Sequence, residues 1–410
     1  MRKYRLISKK GEGTFSEVLK AQNVKDEKFH AIKCMKNHFT SLEQVNNLRE
    51  IQALRRLSPH PNIIRLEEVL YDQPSGRLAL VFELMECNLY ELIRGRRQFL
   101  SPNLIQSLMY QLIVSLDHMH HRGIFHRDIK PENILIEHSQ TLKLADFGSC
   151  RGIYSKQPYT EYISTRWYRA PECLLTDGFY GPAMDVWGAG CVFFEITSLQ
   201  ALFPGSNELD QLHRIHTILG SPSQNVLEEF HTQKAAHIEF DFAYQKGTSL
   251  SSLIPHASSD AIDLMSKMLV YDPKKRLSAR QVLQHAYFAP FRVPEISRTK
   301  SIPSMHGNES VPETGISMED TVPLPAVHGR YVNASDIVSR RFDISQSLSS
   351  LSQQPFESDD TLNQLPPIFS TFNAKKTTHK AKAIVRRNTF QRHEAAVKKT
   401  AAAARRNHNS

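Results

Sequence analysis

Two places in the first part of the chain hold residue types suited to a phosphorylated ligand. The first is the run Lys10, Gly11, Glu12, Gly13, Thr14, Phe15, Ser16, Glu17 and Val18, lying between two strand-like stretches. Glycines let backbone N–H groups approach a triphosphate, and Phe15 is placed to cover it. A plain hairpin turn uses the same residues, and Ser16 stands where a third glycine usually follows, so both readings stay open. The second is Ala31-Ile32-Lys33, with Glu50 seventeen residues on. A strand lysine that keeps its charge toward phosphate oxygens needs a carboxylate to hold it. An exposed lysine and an exposed helix glutamate are the plain alternative.

A third group is more specific. His126-Arg127-Asp128-Ile129-Lys130-Pro131-Glu132-Asn133 is followed by Asp146-Phe147-Gly148 and then by Ala170-Pro171-Glu172. In order and spacing, with the two earlier patterns, residues 4–288 resemble the eukaryotic protein kinase family. The resemblance implies an α+β, bilobal fold with a small β-rich lobe and a larger helical lobe. It also implies ATP and Mg²⁺ as cofactors. Asp128 would take the substrate hydroxyl's proton, and Lys130, a mark of Ser/Thr kinases, would neutralise the transferring phosphoryl group. Asn133 and Asp146 offer oxygen ligands for Mg²⁺. Lys33, paired with Glu50, would grip the α/β-phosphates. Ala31 and the backbone of Glu83 and Met85 would receive adenine beside Phe82, and Asn88 falls where many relatives carry a ribose-binding Asp. Leu54, Leu66, His126 and Phe147 fit a stacked apolar spine or a generic core. Glu172 and Arg276 match the buried ion pair of the large lobe.

Thr160-Glu161-Tyr162 followed by Ser164-Thr165-Arg166-Trp167-Tyr168-Arg169-Ala170-Pro171-Glu172 is similar to the mitogen-activated and male-germ-cell-associated kinase branch. That resemblance implies phosphorylation of Thr160 and Tyr162 by an upstream kinase. It implies phosphothreonine docking on Arg49, Arg127 and Arg151, and phosphotyrosine docking on Arg166 and Arg169. The Thr165 hydroxyl would bridge Asp128 and Lys130. Substrates would be proteins with Ser-Pro or Thr-Pro sites. A pseudokinase scaffold acting by binding is the competing reading, drawn from Ser16, Asn88 and the long tail.

The elements that must position these residues follow from periodicity. Arg5-Leu-Ile-Ser, Glu17-Val-Leu-Lys, Phe29-His-Ala-Ile-Lys33 and Leu78-Ala-Leu-Val-Phe82 read as strands. Val45, Leu48, Ile51, Leu54 and Leu57 predict one helix over 42–57. Further helices are predicted over 104–119, 183–197, 208–219, 259–269 and 278–283. Beyond about residue 289 the pattern fails, and 289–370, rich in Ser and Pro, is predicted to be a disordered linker.

The formal net charge of +9 is uneven. Residues 1–288 carry 34 Lys/Arg against 31 Asp/Glu, 289–370 carry 6 against 10, and 371–410 carry 11 against 1. The basic 371–410 tail reads either as a contact for an import receptor or a polyanion, or as a solvated chain. Five scattered cysteines make neither a disulfide framework nor a zinc site, the usage of a reducing compartment. Cys150 reads as a reactive thiol or as inert packing. No apolar run nears the ~18–20 residues of a membrane span, so no membrane insertion is expected. A cytoplasmic and nuclear location is expected, with the cilium implied by the male-germ-cell-associated branch.

Overall fold

A computed structural model describes residues 3–159, 165–232 and 243–292. Thr160, Tyr162 and the 293–410 stretch, with most of the expected linker and the basic tail, lie outside the described residues.

The small lobe is built on a five-stranded antiparallel sheet. Its strands are β1 (Tyr4–Glu12), β2 (Ser16–Asn23), β3 (Phe29–Met35), β4 (Leu66–Asp72) and β5 (Arg77–Glu83), in the order β1-β2-β3-β5-β4. Alternation sorts the faces of β5. Leu78, Leu80 and Phe82 join the main core, while Val81 packs outward with Tyr4, Ala21, Ile32 and Leu70. Register pairs Ala31 with Phe82 and Lys33 with Leu80, so Ala31 and Lys33 share the inner face.

The single helix expected over 42–57 is two helices, α1 (Leu42–Asn46) and α2 (Arg49–Leu57). The break falls at Asn47 and Leu48. Asn46 and Asn47 are poor helix formers whose amides compete for local hydrogen bonds. Asn46 Oδ1 accepts from Arg55 Nη2 at 3.0 Å, and the Asn47 N–H closes α1 on Glu43 O. Leu48 then takes an extended backbone, φ −62° and ψ 128°. The restart puts Glu50 in the first turn of α2, where the helix dipole favours a carboxylate.

The large lobe opens with β6 (Cys87–Asn88), α3 (Leu89–Ile93) and α4 (Pro102–His121). Ser101 caps α4 and Pro102 starts it, so it runs past both ends of the 104–119 expectation. β7 (Ile124–Phe125) pairs with β10 (Arg151–Gly152), and β8 (Ile134–Glu137) and β9 (Thr141–Leu144) extend β6 into a small sheet. α5 (Pro171–Leu175), α6 (Ala183–Ser198) and α7 (Glu208–Leu219) follow, the last closed by Gly220 at φ +86°. α8 (Gln224–His231) and α9 (Leu250–Leu253) were not expected; α10 (Ser259–Met268) and α11 (Ala279–Leu283) were. A 3-10 turn, Ala286–Phe291, carries ordered chain past the boundary at 288, because Phe291 stacks on Tyr110 of α4 with ring centroids 4.5 Å apart. Among the described residues no helix is long and apolar enough to cross a membrane.

α6 is the axis of the lobe, buried from Met184 through Thr197. Its two charged side chains each have work inside the core. Asp185 anchors the loop described below. Glu195 accepts the Tyr168 hydroxyl at 2.7 Å, and burial pushes its pKa up to about 7. Between pH ~4.5 and ~7 the folded chain therefore holds a proton that the unfolded chain has released, and stability falls as pH rises through that window. Glu195→Gln keeps the acceptor and removes the charge. Its unfolding free energy in urea should match the parent's below pH ~4.5, exceed it increasingly up to pH ~7 by at most about 3 kcal/mol, then level off. A difference that does not vary with pH would place the titration elsewhere.

Candidate active site

Lys33 of β3 lies in the cleft between the lobes and is mostly buried. Its Nζ donates to both Glu50 oxygens at 2.8 Å and to Asp146 Oδ1 at 3.0 Å. Burial alone would discharge the ammonium, but the two carboxylates outweigh it and raise the Lys33 pKa. Burial likewise opposes the Asp146 charge, and Lys33 overcomes it, holding Asp146 below the usual carboxylate range. Asp146 has a left-handed backbone, φ +64°, which turns its carboxylate out while the adjoining Phe147 is fully buried. The expected lysine–glutamate pair is therefore formed, with Asp146 as a third member.

The loop after β7 is gripped from below by α6. Asp185 Oδ2 accepts the His126 N–H at 2.7 Å and Oδ1 accepts the Arg127 N–H at 2.8 Å. His120 Nε2 lies 2.9 Å from the same carboxylate. These bonds hold Arg127 at φ +72°, a conformation that a non-glycine residue keeps only where its surroundings impose it. Asp128 follows. Its Oδ2 accepts from Lys130 Nζ at 2.8 Å and Asn133 Nδ2 at 2.9 Å. Its Oδ1 is buried and has no hydrogen-bond partner among the described residues. One carboxylate oxygen is thus fixed and the other kept for a donor from outside. With the Asn133 amide nitrogen committed to Asp128, its oxygen remains for another ligand. His126 Nε2 donates to Ala145 O, 3.0 Å away, and the ring meets Phe147 edge to face at 5.3 Å. Leu54 and Phe147 are buried in the core and Leu66 packs against it, which places the four spine residues in contact with one core.

On the nucleotide side, β1 and β2 meet over Gly13–Phe15, with the Gly13 N–H donating to Ser16 O at 2.8 Å. A Cβ on Gly11 would touch nothing, and one on Gly13 would reach only Ser16 O at 3.8 Å, so the glycines leave open space rather than relieve a clash. Phe15 at the tip is 67% exposed. Lys10, Glu12, Thr14 and Glu17 are strand and turn residues of this hairpin, and Val18 faces Lys33 across the β2–β3 pair. Phe82 and Met85 are buried at the hinge. The Glu83 side chain turns away from the cleft to Lys143, 2.9 Å distant, and to the Arg65 N–H. Asn88 is a helix cap. Its Oδ1 accepts the Glu91 N–H at 2.8 Å, and Glu91 returns the bond to the Asn88 N–H.

Arg49, Arg127 and Arg151 converge. Burial and the charges of Arg151 and Arg127 lower the Arg49 pKa, a sign of cations held together. Arg127 donates to Ser149 O and to the Tyr180 hydroxyl at 3.0 Å. Arg151 lies over the Tyr159 ring, and its buried Nε has no partner among the described residues. Thr165 precedes the 3-10 turn Arg166–Tyr168. Arg166 donates to Ser206 O at 3.1 Å, and Arg169 pairs with Glu208 at 3.2 Å. Glu172 and Arg276 form the expected pair, with Nη1–Oε1 2.7 Å and Nη2–Oε2 2.9 Å. Cys150 is inert packing: burial pushes its thiol up to about 12.

Sequence reasoning passed over Asp185 and Lys36. Asp185 carried a signal, a carboxylate within the most apolar helix, which must find partners in the core. Lys36 Nζ reaches Glu12 Oε1 at 2.7 Å and Gly13 O at 2.8 Å, tethering the glycine hairpin from β3's end. Nothing in its spacing marks that contact.

The family model described as "Protein kinase domain" matches residues 4–288. The chain is 59% identical over 295 residues to the MAPK/MAK/MRK overlapping kinase of Mus musculus, covering 72% of this chain and 70% of that protein. It is 56% identical over 319 residues to its Homo sapiens namesake, covering 78% and 74%. Against the serine/threonine-protein kinase MAK of Rattus norvegicus the identity is 39% over 331 residues, covering 80% and 53%. A hinged cleft, a paired lysine and a loop aspartate with one oxygen left free accompany these similarities, and the chain belongs to the protein kinase family as a serine/threonine kinase similar to the MAPK/MAK/MRK overlapping kinases.

Proposed function

We propose that the chain phosphorylates Ser-Pro and Thr-Pro sites from Mg²⁺-ATP and is switched on by phosphorylation of Thr160 and Tyr162. The observation that carries the chemistry is the divided Asp128 carboxylate. Oδ2 is tied by Lys130 and Asn133, while Oδ1 is buried and has no partner among the described residues. A buried oxygen without a donor is costly unless a ligand supplies one. A substrate hydroxyl does so, and Asp128 orients it and takes its proton. Lys130 neutralises phosphoryl charge, with Thr165 bridging the two. Lys33, held by Glu50, grips the phosphates under the Gly11–Val18 hairpin, and Ala31, Glu83 and Met85 receive adenine.

Asn133 and Asp146 provide the hard oxygen donors that Mg²⁺ takes. Among the described residues no three His, Cys, Asp or Glu side chains cluster to hold a metal alone, which suits an ion that arrives with phosphate oxygens. Bound there, Mg²⁺ supplies charge neutralisation.

Three crowded arginines support the switch, since a phosphate offers them paired acceptors and relieves their repulsion. Arg49 opens α2, so phosphate on Thr160 would also steady Glu50. Arg166 and Arg169 would receive phosphate on Tyr162, with Arg169 exchanging its Glu208 contact. Proline suits the adjoining pocket because it has no N–H to leave unsatisfied. The net +10 of residues 371–410 supports nuclear import or polyanion contact.

The switch is tested by turnover on a Ser-Pro peptide before and after phosphatase treatment, repeated with Thr160→Ala and Tyr162→Phe. The parent should lose at least tenfold on phosphatase treatment, and each variant should start low. Equal turnover in all samples would rule the switch out.

A further inference from the structure

The most exposed large aromatic among the described residues is Tyr154, at 92%. It stands in the segment between Asp146 and Glu172, two residues past β10. Its exposure does not come from a loose backbone. The Ile153 N–H donates to Gly123 O at 2.8 Å and the Ser155 N–H to Gly152 O at 3.1 Å, which pins the turn on both sides. A ring of this size ordinarily gains by burial.

The neighbours are cationic. Gly123, at φ +73°, ends the α4 turn. A Cβ there would meet Tyr154 Cε2 at 3.5 Å and Arg56 Nη2 at 3.6 Å, so the ring and the guanidinium flank one backbone point. Arg122, the residue before Gly123, donates from Nη1 to the backbone O of Arg56 at 3.2 Å, which sets its guanidinium against the C-terminal end of α2. Lys156 is exposed two residues along. None of these three cations has a carboxylate partner among the described residues, whereas Arg55 next door is occupied by Asn46.

We propose that Tyr154 is a phosphoacceptor and that its phosphate is held by Arg56 and Arg122. A tyrosine-directed kinase would supply the group from ATP. The Tyr154 oxygen bonds to the γ-phosphorus as the bond to the ADP oxygen breaks, and the phenolic proton passes to that kinase's base. The product carries about −1.5 to −2 charge with acceptor oxygens that guanidinium groups pair bidentately. Arg56 lies in the last turn of α2 and Arg49 in the first. Phosphate on Tyr154 therefore ties the far end of the helix that carries Glu50, joining it to the turn and to the end of α4. Phosphate at Tyr154 draws on Arg56 and Arg122 rather than on Arg49, Arg127 and Arg151, so it does not depend on phosphorylation of Thr160 or Tyr162.

The test uses the full chain with ATP and a broad-specificity tyrosine kinase, mapping phosphate by mass spectrometry with Tyr154→Phe as the blank. Tyr244, 83% exposed, is the internal reference. The modified chain is then given a tyrosine phosphatase, and amide exchange over residues 49–57 is followed. Tyr154 should be modified, its phosphate released several-fold more slowly than in the Arg56→Gln/Arg122→Gln chain, and exchange in 49–57 slowed only when the arginines are present. Modification of Tyr244 without Tyr154, or release and exchange indifferent to the arginines, would overturn the proposal.

Discussion

Asp128→Asn should lower phosphoryl transfer by roughly 10² or more while leaving ATP affinity unchanged. The substitution keeps side-chain size and one oxygen to accept from Lys130 and Asn133, so the loop gripped by Asp185 keeps its shape. What it removes is the second carboxylate oxygen, which is buried and has no hydrogen-bond partner among the described residues. Steady-state turnover on a peptide, with nucleotide affinity measured separately, distinguishes the two terms. Turnover equal to the parent's would show that Asp128 takes no proton. A matching loss of ATP affinity would assign it to nucleotide binding instead.

Arg276→Met should destabilise the chain by about 3–5 kcal/mol. The Arg276 side chain is fully buried and Glu172 nearly so. Every guanidinium N–H has an acceptor: both Glu172 oxygens, Ala183 O at 2.9 Å, Tyr271 O at 3.2 Å and Val270 O at 2.9 Å. The group also lies 5.1 Å from the Trp187 ring centroid. Removing it strands a buried carboxylate and three carbonyls on two segments. Changing Glu172→Gln in addition removes the stranded charge but not the open carbonyls, so the double variant should recover only part of the loss. Urea midpoints of the parent, single and double variants check this. A single variant within about 0.5 kcal/mol of the parent would mean the pair contributes nothing, as exposed ion pairs often do.

The site was legible because its chemistry is written in short runs. Asp128, Lys130 and Asn133 lie within six residues, and the loop that carries them folds them onto one carboxylate. Lys33 and Glu50 were legible by spacing once the other motifs gave the spacing meaning. Asp185 was not, because its partners at His126 and Arg127 lie 59 and 58 residues away and no local pattern links them. The Asn47–Leu48 break was hidden by a hydrophobic stripe that continues across it; capping by Asn46 and Asn47 outweighed periodicity. Asn88 looked like a departure at a ligand position, yet its side chain is taken up in capping α3. β4 lacks a clean alternation and α8 is only eight residues long, and their place is fixed by packing against β5 and α5.

The proposed activity is transfer of phosphate by this cleft from ATP to serine and threonine ahead of proline. The most direct measurement is transfer of labelled γ-phosphate by the full chain onto a degenerate peptide library, with the Asp128→Asn chain as the blank. The account predicts label on serine and threonine, enriched where proline follows, and at background level with the blank. Nucleotide binding with no transfer by either chain, or equal labelling by both, would contradict it.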